Sequence, residues 1–152
     1  MAIKKRGKYN IDNSSSGKKK RTFNGDLFDS LTELHYLKEV ILPLIESGEV
    51  VSYERQIPYI LQEGFVNFEG KKILPIKYIA DYVVTYSDGH VEIIDIKGLP
   101  DAVSKLKKKL YQKRYPDTIY YWMVRNLSRG GWQRYEELEQ KKKLEKKVKK
   151  SA

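Results

Sequence analysis

Apolar residues at helical spacing predict the first element of the fold, a helix over 30–47. Four of them lie three or four positions apart: Leu31, Leu34, Leu37 and Ile41. Ser30 and Glu33 match the S-x-x-E capping box at the start of this helix. Pro43 predicts a bend within it, because proline lacks the amide that the helix would use.

Three runs rich in Ile, Val and Tyr predict strands over 50–62, 74–86 and 90–97. Pro58 indicates that the first strand lies at an edge or contains a bulge. The turn-rich segment between the first two strands could hold a short hairpin around Gly70.

The rest of the chain alternates again between helical and extended patterns. A helix is predicted over 100–116, with Val103, Leu106 and Leu110 on its buried face. A strand follows over 117–125. A charged helix is then expected over 132–149, with a thin apolar stripe: Trp132, Tyr135 and Leu138.

The predicted order is helix, three strands, helix, strand, helix, which is typical of an α/β fold. We expect a mixed β-sheet, an antiparallel meander plus a parallel strand reached by a right-handed crossover, flanked by helices. Residues 1–25 are expected to be a basic flexible arm with almost nothing to bury, 26–131 the folded core, and 132–152 a charged C-terminal helix or tail.

The distribution of charge along the chain indicates a binding partner. The 152 residues carry a net charge of +10, of which +7 lies in residues 1–25 and +3 in residues 136–152. Basic tails on a neutral body indicate a polyanion such as nucleic acid, although lysine-rich ends can also serve solubility alone. The chain has no cysteine and no long apolar run, so we expect a cytoplasmic protein without a membrane span.

Charged residues interrupt the two strands of the segment YIADYVVTYSDGHVEIIDIKG, residues 78–98. A two-residue turn at Asp88-Gly89 would send Asp81 away from Asp95. A three-residue loop over 87–89, with Gly89 in the left-handed region, would set Asp81 directly opposite Asp95. The residue types favour the second geometry, which also places Lys97 on the same face.

Two carboxylates facing one another destabilise a sheet unless a cation joins them. One ammonium does not balance both, whereas a divalent ion such as Mg²⁺ binds carboxylate oxygens and neighbouring carbonyls, here that of Ile96. The alternative is a structural ion pair between Lys97 and Asp95 or Asp81.

The spacing Asp81 … Asp95-Ile96-Lys97, preceded by a helix with Glu33, resembles the PD-(D/E)XK nuclease superfamily. Four ordered blocks resemble a group of small phage and prophage nucleases, similar in motif order to phage endonuclease I and Holliday-junction resolvases: FNGDLFDSLTELHYL, ERQIPYIL, KYIADYVV and VEIIDIKG. The resemblance spans about residues 22–125. Ala80 departs from the proline of the motif, and Asp95 stands where glutamate is frequent.

The resemblance implies a restriction-endonuclease-like core at 26–131 and a role for each motif residue. Asp81 and Asp95 would bind one or two Mg²⁺ or Mn²⁺ ions with the Ile96 carbonyl. Lys97 would orient or help deprotonate the attacking water. Glu33 would bind metal directly or through water, although capping explains it equally well, and Gln56 is a possible accessory residue.

The resemblance implies a Mg²⁺-dependent endonuclease that acts on DNA and is encoded by a phage or prophage in a bacterial host. No base-reading motif is visible, so branched or otherwise structured DNA is the expected substrate, and resolving a junction would favour a homodimer. The alternatives are a DNA-binding subunit without catalysis and a transposase-type end-cleaving subunit. Basic residues are expected to hold the DNA backbone: Lys18, Lys19, Lys20, Arg21, Lys105, Lys108 and Lys109.

Overall fold

The computed structural model of the protein describes residues 11–151. Its helices are α1 (Ser15–Lys20), α2 (Leu31–Tyr36), α3 (Leu42–Ser47), α4 (Ala102–Arg114) and α5 (Tyr135–Ser151). Its strands are β1 (Thr22–Phe23), β2 (Asp26–Leu27), β3 (Val50–Gln62), β4 (Phe65–Val66), β5 (Lys72–Ile73), β6 (Ile76–Tyr86), β7 (Val91–Ile96), β8 (Ile119–Asn126) and β9 (Gly131–Arg134).

A five-stranded mixed sheet in the order β3-β6-β7-β8-β9 forms the centre of the molecule. Strands β7 and β8 are parallel and the other neighbours are antiparallel, which confirms the predicted α/β class with a meander plus a parallel strand. β3 is an edge strand, as Pro58 indicated. The suggested hairpin around Gly70 is also present, as β4 and β5.

The helical segment over 31–47 is interrupted by a π-helical turn, Leu37–Ile41, between α2 and α3. Pro43 lies two residues after this turn and has no amide to donate to the Glu39 carbonyl, so the predicted irregularity takes the form of a π turn. The Ser30 hydroxyl accepts the Glu33 amide at 3.1 Å at the start, and Gly48, at φ +83°, follows the end.

Each face of the sheet has its own apolar core. The core under α2 and α3 is formed by Phe28, Leu34, Tyr36, Leu37, Ile41, Val50, Tyr82, Val84 and Ile94. The core under α4 is rich in tyrosine and is formed by Leu61, Tyr78, Ala80, Ile93 and Tyr111. Loss of water from these apolar surfaces is the main force that holds the helices to the sheet.

Helix α4 has the predicted position, but of its predicted apolar face only Leu110 packs against the core. Val103 and Leu106 are 59% and 58% exposed, whereas Tyr111 is fully buried. Three tyrosine rings, one each from β3, β6 and β8, surround Tyr111 together with Tyr115 and turn that side of the helix inward. The aromatic contacts outweigh the aliphatic pattern, because an aromatic side chain buries more area than a valine or leucine.

The C-terminal helix begins later than predicted. Trp132 lies in β9 instead, where residues 131–134 pair with β8. Gly130 and Gly131, at φ +97° and +88°, make the tight return that lets the chain pair with the open edge of β8. Within residues 11–151, no helix is long and apolar enough to cross a membrane.

The expectation that the arm buries almost nothing is wrong for its described part, residues 11–25. Gly17 is buried in α1, and Arg21 is only 5% exposed. The Arg21 guanidinium donates to the carbonyl oxygens of Phe28 at 2.6 Å and Asp29 at 3.2 Å. This segment therefore holds the chain that leads into α2, while the predicted arm residues 1–10 lie outside the described part.

Candidate active site

The β6–β7 hairpin has the three-residue loop that the sequence predicted. The Tyr86 amide donates to the His90 carbonyl at 2.9 Å, and Gly89 has a φ of +91°. Facing residues run from Thr85 and Val91 to Tyr82 and Ile94. Continuing this register sets Asp81 opposite Asp95, which confirms the predicted geometry.

The regular pairing of β6 and β7 ends at the residue pair just before the two carboxylates. The Ile96 amide donates to Asp81 Oδ2 at 2.7 Å instead of to a backbone carbonyl of β6. Burial raises the pKa of Asp81, and the negative charge of Asp95 acts on the Asp81 side chain and raises this pKa further. The two acids therefore share one face of the sheet, at the point where the strands separate.

Strand β6 exchanges its two faces at Asp81. Tyr78 and Ala80 pack in the core under α4, but Tyr82 and Val84, which have the same parity, pack in the core under α2 and α3. A regular strand would keep all four on one face. Because of this exchange, Asp81 can direct its carboxylate toward Asp95 although its neighbours Ala80 and Tyr82 are both buried.

The neighbouring strand is irregular at the same level. Arg55 faces Tyr82 and Ile57 faces Ala80, so Gln56 lies beside Asp81. Gln56 has a φ of +55°, which is costly for a residue with a side chain, and its Nε2 atom is buried without a hydrogen-bond partner. Gln56 therefore lies in the strand beside Asp81, and its accessory role stays a prediction.

Burial and like charge act together on the acids. Asp95 is 3% exposed, and its Oδ2 atom lies 2.7 Å from Lys97 Nζ in an ion pair that lacks hydrogen-bond geometry. Asp81 has no ion-pair partner among residues 11–151. Burial, followed by the negative charge of Asp95, raises the pKa of Asp81 far above its ordinary value.

Glu33 combines the capping and charged roles that the sequence left open. Its amide is capped by Ser30, while its carboxylate is 8% exposed and interacts with the charge of Asp95. Burial, then the Asp29 charge, raises the pKa of Glu33. The Tyr82 hydroxyl donates to the Glu33 carbonyl at 2.7 Å, which anchors this turn of α2 to the sheet.

The donor chemistry suits a hard cation, but the cluster is not a closed metal cage. Two facing carboxylates with a buried, poorly bonded oxygen and a raised pKa are what a divalent ion would stabilise. Among residues 11–151, however, no group of three or more His, Cys, Asp or Glu is arranged to hold a metal. Any ion here would complete its coordination with water and the Ile96 carbonyl.

The lysines expected to hold DNA differ in their surroundings. Lys18, Lys19 and Lys20 are exposed on α1, and Lys20 lines a cavity of about 360 Å³ with Ser30 and Thr32, beside the turn that carries Glu33. Arg21 lines the cavity too, but its guanidinium is bound to backbone carbonyls, so we withdraw its assignment to the DNA backbone.

Helix α4 divides its lysines between solvent and the site. Lys105 and Lys109 are exposed. Lys108 is largely buried, with its Nζ atom 4.2 Å from the centroid of the Trp122 ring, and it forms an ion pair with Glu136 of α5. Lys108 therefore does not have the free surface position that was predicted for it.

Two residues near the acids, Trp122 and Arg55, were missed by sequence reasoning, and Lys108 was predicted only as a surface contact to DNA. Trp122 faces Asp95 across β7 and β8, and its ring also lies 5.4 Å from Lys97 Nζ. The Arg55 guanidinium lies 3.5 Å from the centroid of the Phe28 ring and lowers the Glu33 pKa in part. The sequence signal that could have identified Trp122 was a tryptophan in the middle of the strand predicted to lie parallel to the strand with Asp95.

Comparison with known proteins gives one match. A protein-family model described as Protein of unknown function (DUF1064) matches residues 13–131. The matched segment contains α1, the whole acidic cluster and α4, and it stops before most of β9 and α5. No curated protein matches the chain.

Proposed function

The chain belongs to this family of proteins of unknown function (DUF1064), and we propose that it is a divalent-metal-dependent DNA endonuclease. The observation that carries the proposal is the facing pair Asp81 and Asp95, set with Lys97 where β6 and β7 separate. A fold has no need of two facing buried acids, because like charges there cost stability. Acids kept at such a cost indicate function.

Each residue of the cluster has a distinct task in this proposal. Asp81, Asp95 and the Ile96 carbonyl would hold one or two Mg²⁺ or Mn²⁺ ions, with Glu33 acting through water. A bound ion would activate a water molecule and neutralise charge on the phosphate. Lys97, fixed by Asp95 at 2.7 Å, would orient that water and balance the developing negative charge.

The reaction is hydrolysis of a phosphodiester. The bond from the water oxygen to phosphorus forms, the bond from phosphorus to one sugar oxygen breaks, and a water proton ends on the leaving oxygen through solvent. Exposed lysines of α1 and α4 would position the DNA through its phosphates, without reading sequence. We therefore propose branched or otherwise structured DNA as the substrate, and a homodimer for a two-site reaction.

A DNA-binding subunit without catalysis is the second candidate. The absence, among residues 11–151, of three acids arranged to hold a metal favours it, as does the Lys97–Asp95 ion pair, which a purely structural role would explain. This candidate predicts DNA binding that is insensitive to divalent ions and no strand cleavage by the wild-type protein.

One experiment separates the two. A four-way junction, a linear duplex and a single strand are each incubated with the protein in Mg²⁺, Mn²⁺ or EDTA, and products are resolved on denaturing gels. We expect metal-dependent cleavage, fastest on the junction, by the wild-type protein and by Asp117→Asn, an exposed acid far along the sequence from the cluster. Binding without cleavage on every substrate would contradict the endonuclease and favour the binding subunit.

A further inference from the structure

Lys108 occupies a position where a helix that packs on a sheet normally carries an apolar side chain. It lies one turn before Tyr111 on the inner side of α4, and its side chain is only 15% exposed. Val103 and Leu106 of the same helix face solvent. A leucine at 108 would cover Trp122 without burying an ammonium, so packing alone does not explain this lysine.

The contacts of Lys108 point to the acidic cluster. Its ammonium lies over the face of Trp122, the residue that faces Asp95 in the next strand. It also interacts with the charge of Asp95. Lys97 contacts the same ring and forms the ion pair with Asp95, so two ammonium groups from different elements meet at the Trp122 ring, beside Asp95.

The only acid paired directly with Lys108 among the described residues is Glu136, at the first turn of α5. The Glu136 side chain is 49% exposed, which places this ion pair at the rim of the site. An exposed carboxylate is weakly held, since solvent screens such pairs. A phosphate oxygen could therefore take the place of Glu136 with little loss.

We propose that Lys108 is a second catalytic cation, which exchanges Glu136 for a non-bridging oxygen of the scissile phosphate when DNA binds. This inference rests on the proposed endonuclease activity and adds a residue outside the Asp81, Asp95 and Lys97 motif. Lys108 transfers no proton and forms no bond to phosphorus. It donates a hydrogen bond to the oxygen on which negative charge grows in the transition state.

The test compares Lys108→Met with Lys38→Met. Methionine keeps the length and apolar stem of lysine, and Lys38 also contacts an aromatic ring, that of Phe23 at 4.7 Å. With saturating protein, Mg²⁺ and a junction substrate, we expect Lys108→Met to lower the single-turnover rate by about 10- to 100-fold. Lys38→Met should cleave at the wild-type rate.

Two further measurements separate catalysis from packing. Removing a positive charge beside Asp95 should tighten Mn²⁺ binding in Lys108→Met, measured as a lower Mn²⁺ concentration for half-maximal thermal stabilisation, and Lys38→Met should show no such change. Glu136→Gln should keep or raise the cleavage rate, since it frees Lys108. If Lys108→Met melts early, Lys108→Gln, checked for a wild-type melting temperature, replaces it.

The outcomes are distinct. A Lys108 variant that melts like wild type and cleaves at the wild-type rate overturns this inference and leaves the endonuclease intact. A lower rate with unchanged Mn²⁺ binding assigns Lys108 to packing around Trp122 and also overturns it. A wild-type protein that binds but does not cleave any substrate overturns the endonuclease and the inference together.

Discussion

The two ends of the β6–β7 hairpin are built in different ways. At the turn end, backbone hydrogen bonds close a three-residue loop, and the His90 ring stacks on Tyr86 with centroids 4.2 Å apart. At the open end, backbone pairing stops and the Asp81 carboxylate accepts a hydrogen bond from the Ile96 amide. One end satisfies its polar groups with its own backbone, and the other holds charges that repel.

This difference separates stability from function along a single pair of strands. The turn end sets the register, because a shift by one residue would move Asp81 to the other face. The open end gains nothing in stability from Asp81 facing Asp95, and burial makes their charges more costly. Changes at the turn end should therefore affect folding, and changes at the open end should affect chemistry.

The largest effect is expected at the open end. Asp95→Asn removes a buried carboxylate of the cluster and should lower cleavage of the junction about 10³-fold. The melting temperature should change little, because relief of the repulsion between Asp81 and Asp95 offsets the loss of the Lys97 ion pair. Single-turnover cleavage and thermal melting measure the two effects, with Asp117→Asn as the control. Cleavage at the wild-type rate by Asp95→Asn would contradict the assignment of catalysis to the open end of the hairpin.

The turn end should show the reverse. Gly89→Val places a β-branched residue at a φ of +91° and should destabilise the fold by about 1–3 kcal/mol. No atom lies within 4 Å of the position of a new Cβ, so the cost comes from the backbone alone. Gly98→Val is the matched control, since that site is equally open and its φ is not positive. Denaturant unfolding of both variants measures the difference, and equal losses would contradict it.

The sequence predicts the turn end better than the open end, for a physical reason. Asp88-Gly89 carries its turn preference locally, and so does the Ser30 cap, whereas the buried face of α4 depends on tyrosines from other strands. The Asp81, Asp95 and Lys97 cluster follows from the register of the hairpin, whereas the exchange of faces in β6 at Asp81 does not follow from alternation. Trp122 and Lys108 reach the cluster only through the crossover and the rotation of α4, which no local pattern encodes.

The pH dependence of stability sharpens the comparison. Burial and the Asp95 charge raise the Asp81 pKa above its unfolded value of about 3.9, so the folded state binds more protons than the unfolded state above that pH. Stability should therefore fall as the pH rises from about 4 toward the raised pKa. In the absence of metal, this loss of stability arises from Asp81 at the open end of the hairpin.

Asp81→Asn tests that loss in EDTA. The asparagine oxygen can still accept the Ile96 amide, and its amino group can donate to Asp95. We expect this variant to be more stable than wild type at pH 8, by about 1.4 kcal/mol for each unit between pH 4 and pH 8 over which the Asp81 pKa is raised, and the gap to close near pH 4. Urea unfolding across this pH range measures it. A constant gap would mean that Asp81 does not titrate as its surroundings require.

The smallest effect concerns α1, whose residue Lys20 lines the cavity beside the start of α2. Replacing Lys18, Lys19 and Lys20 with alanine should flatten the plot of log affinity against log salt by up to about 0.9 per lost phosphate contact. Folding should persist, because the three side chains are exposed and Arg21 remains in place.

The control replaces Lys71, Lys72 and Lys77, which are also exposed and carry the same charge. If both triple variants flatten the plot equally, net charge explains the binding. If only the α1 variant does so, the DNA crosses the molecule beside the turn of α2 that carries Glu33, on the side where the acids lie.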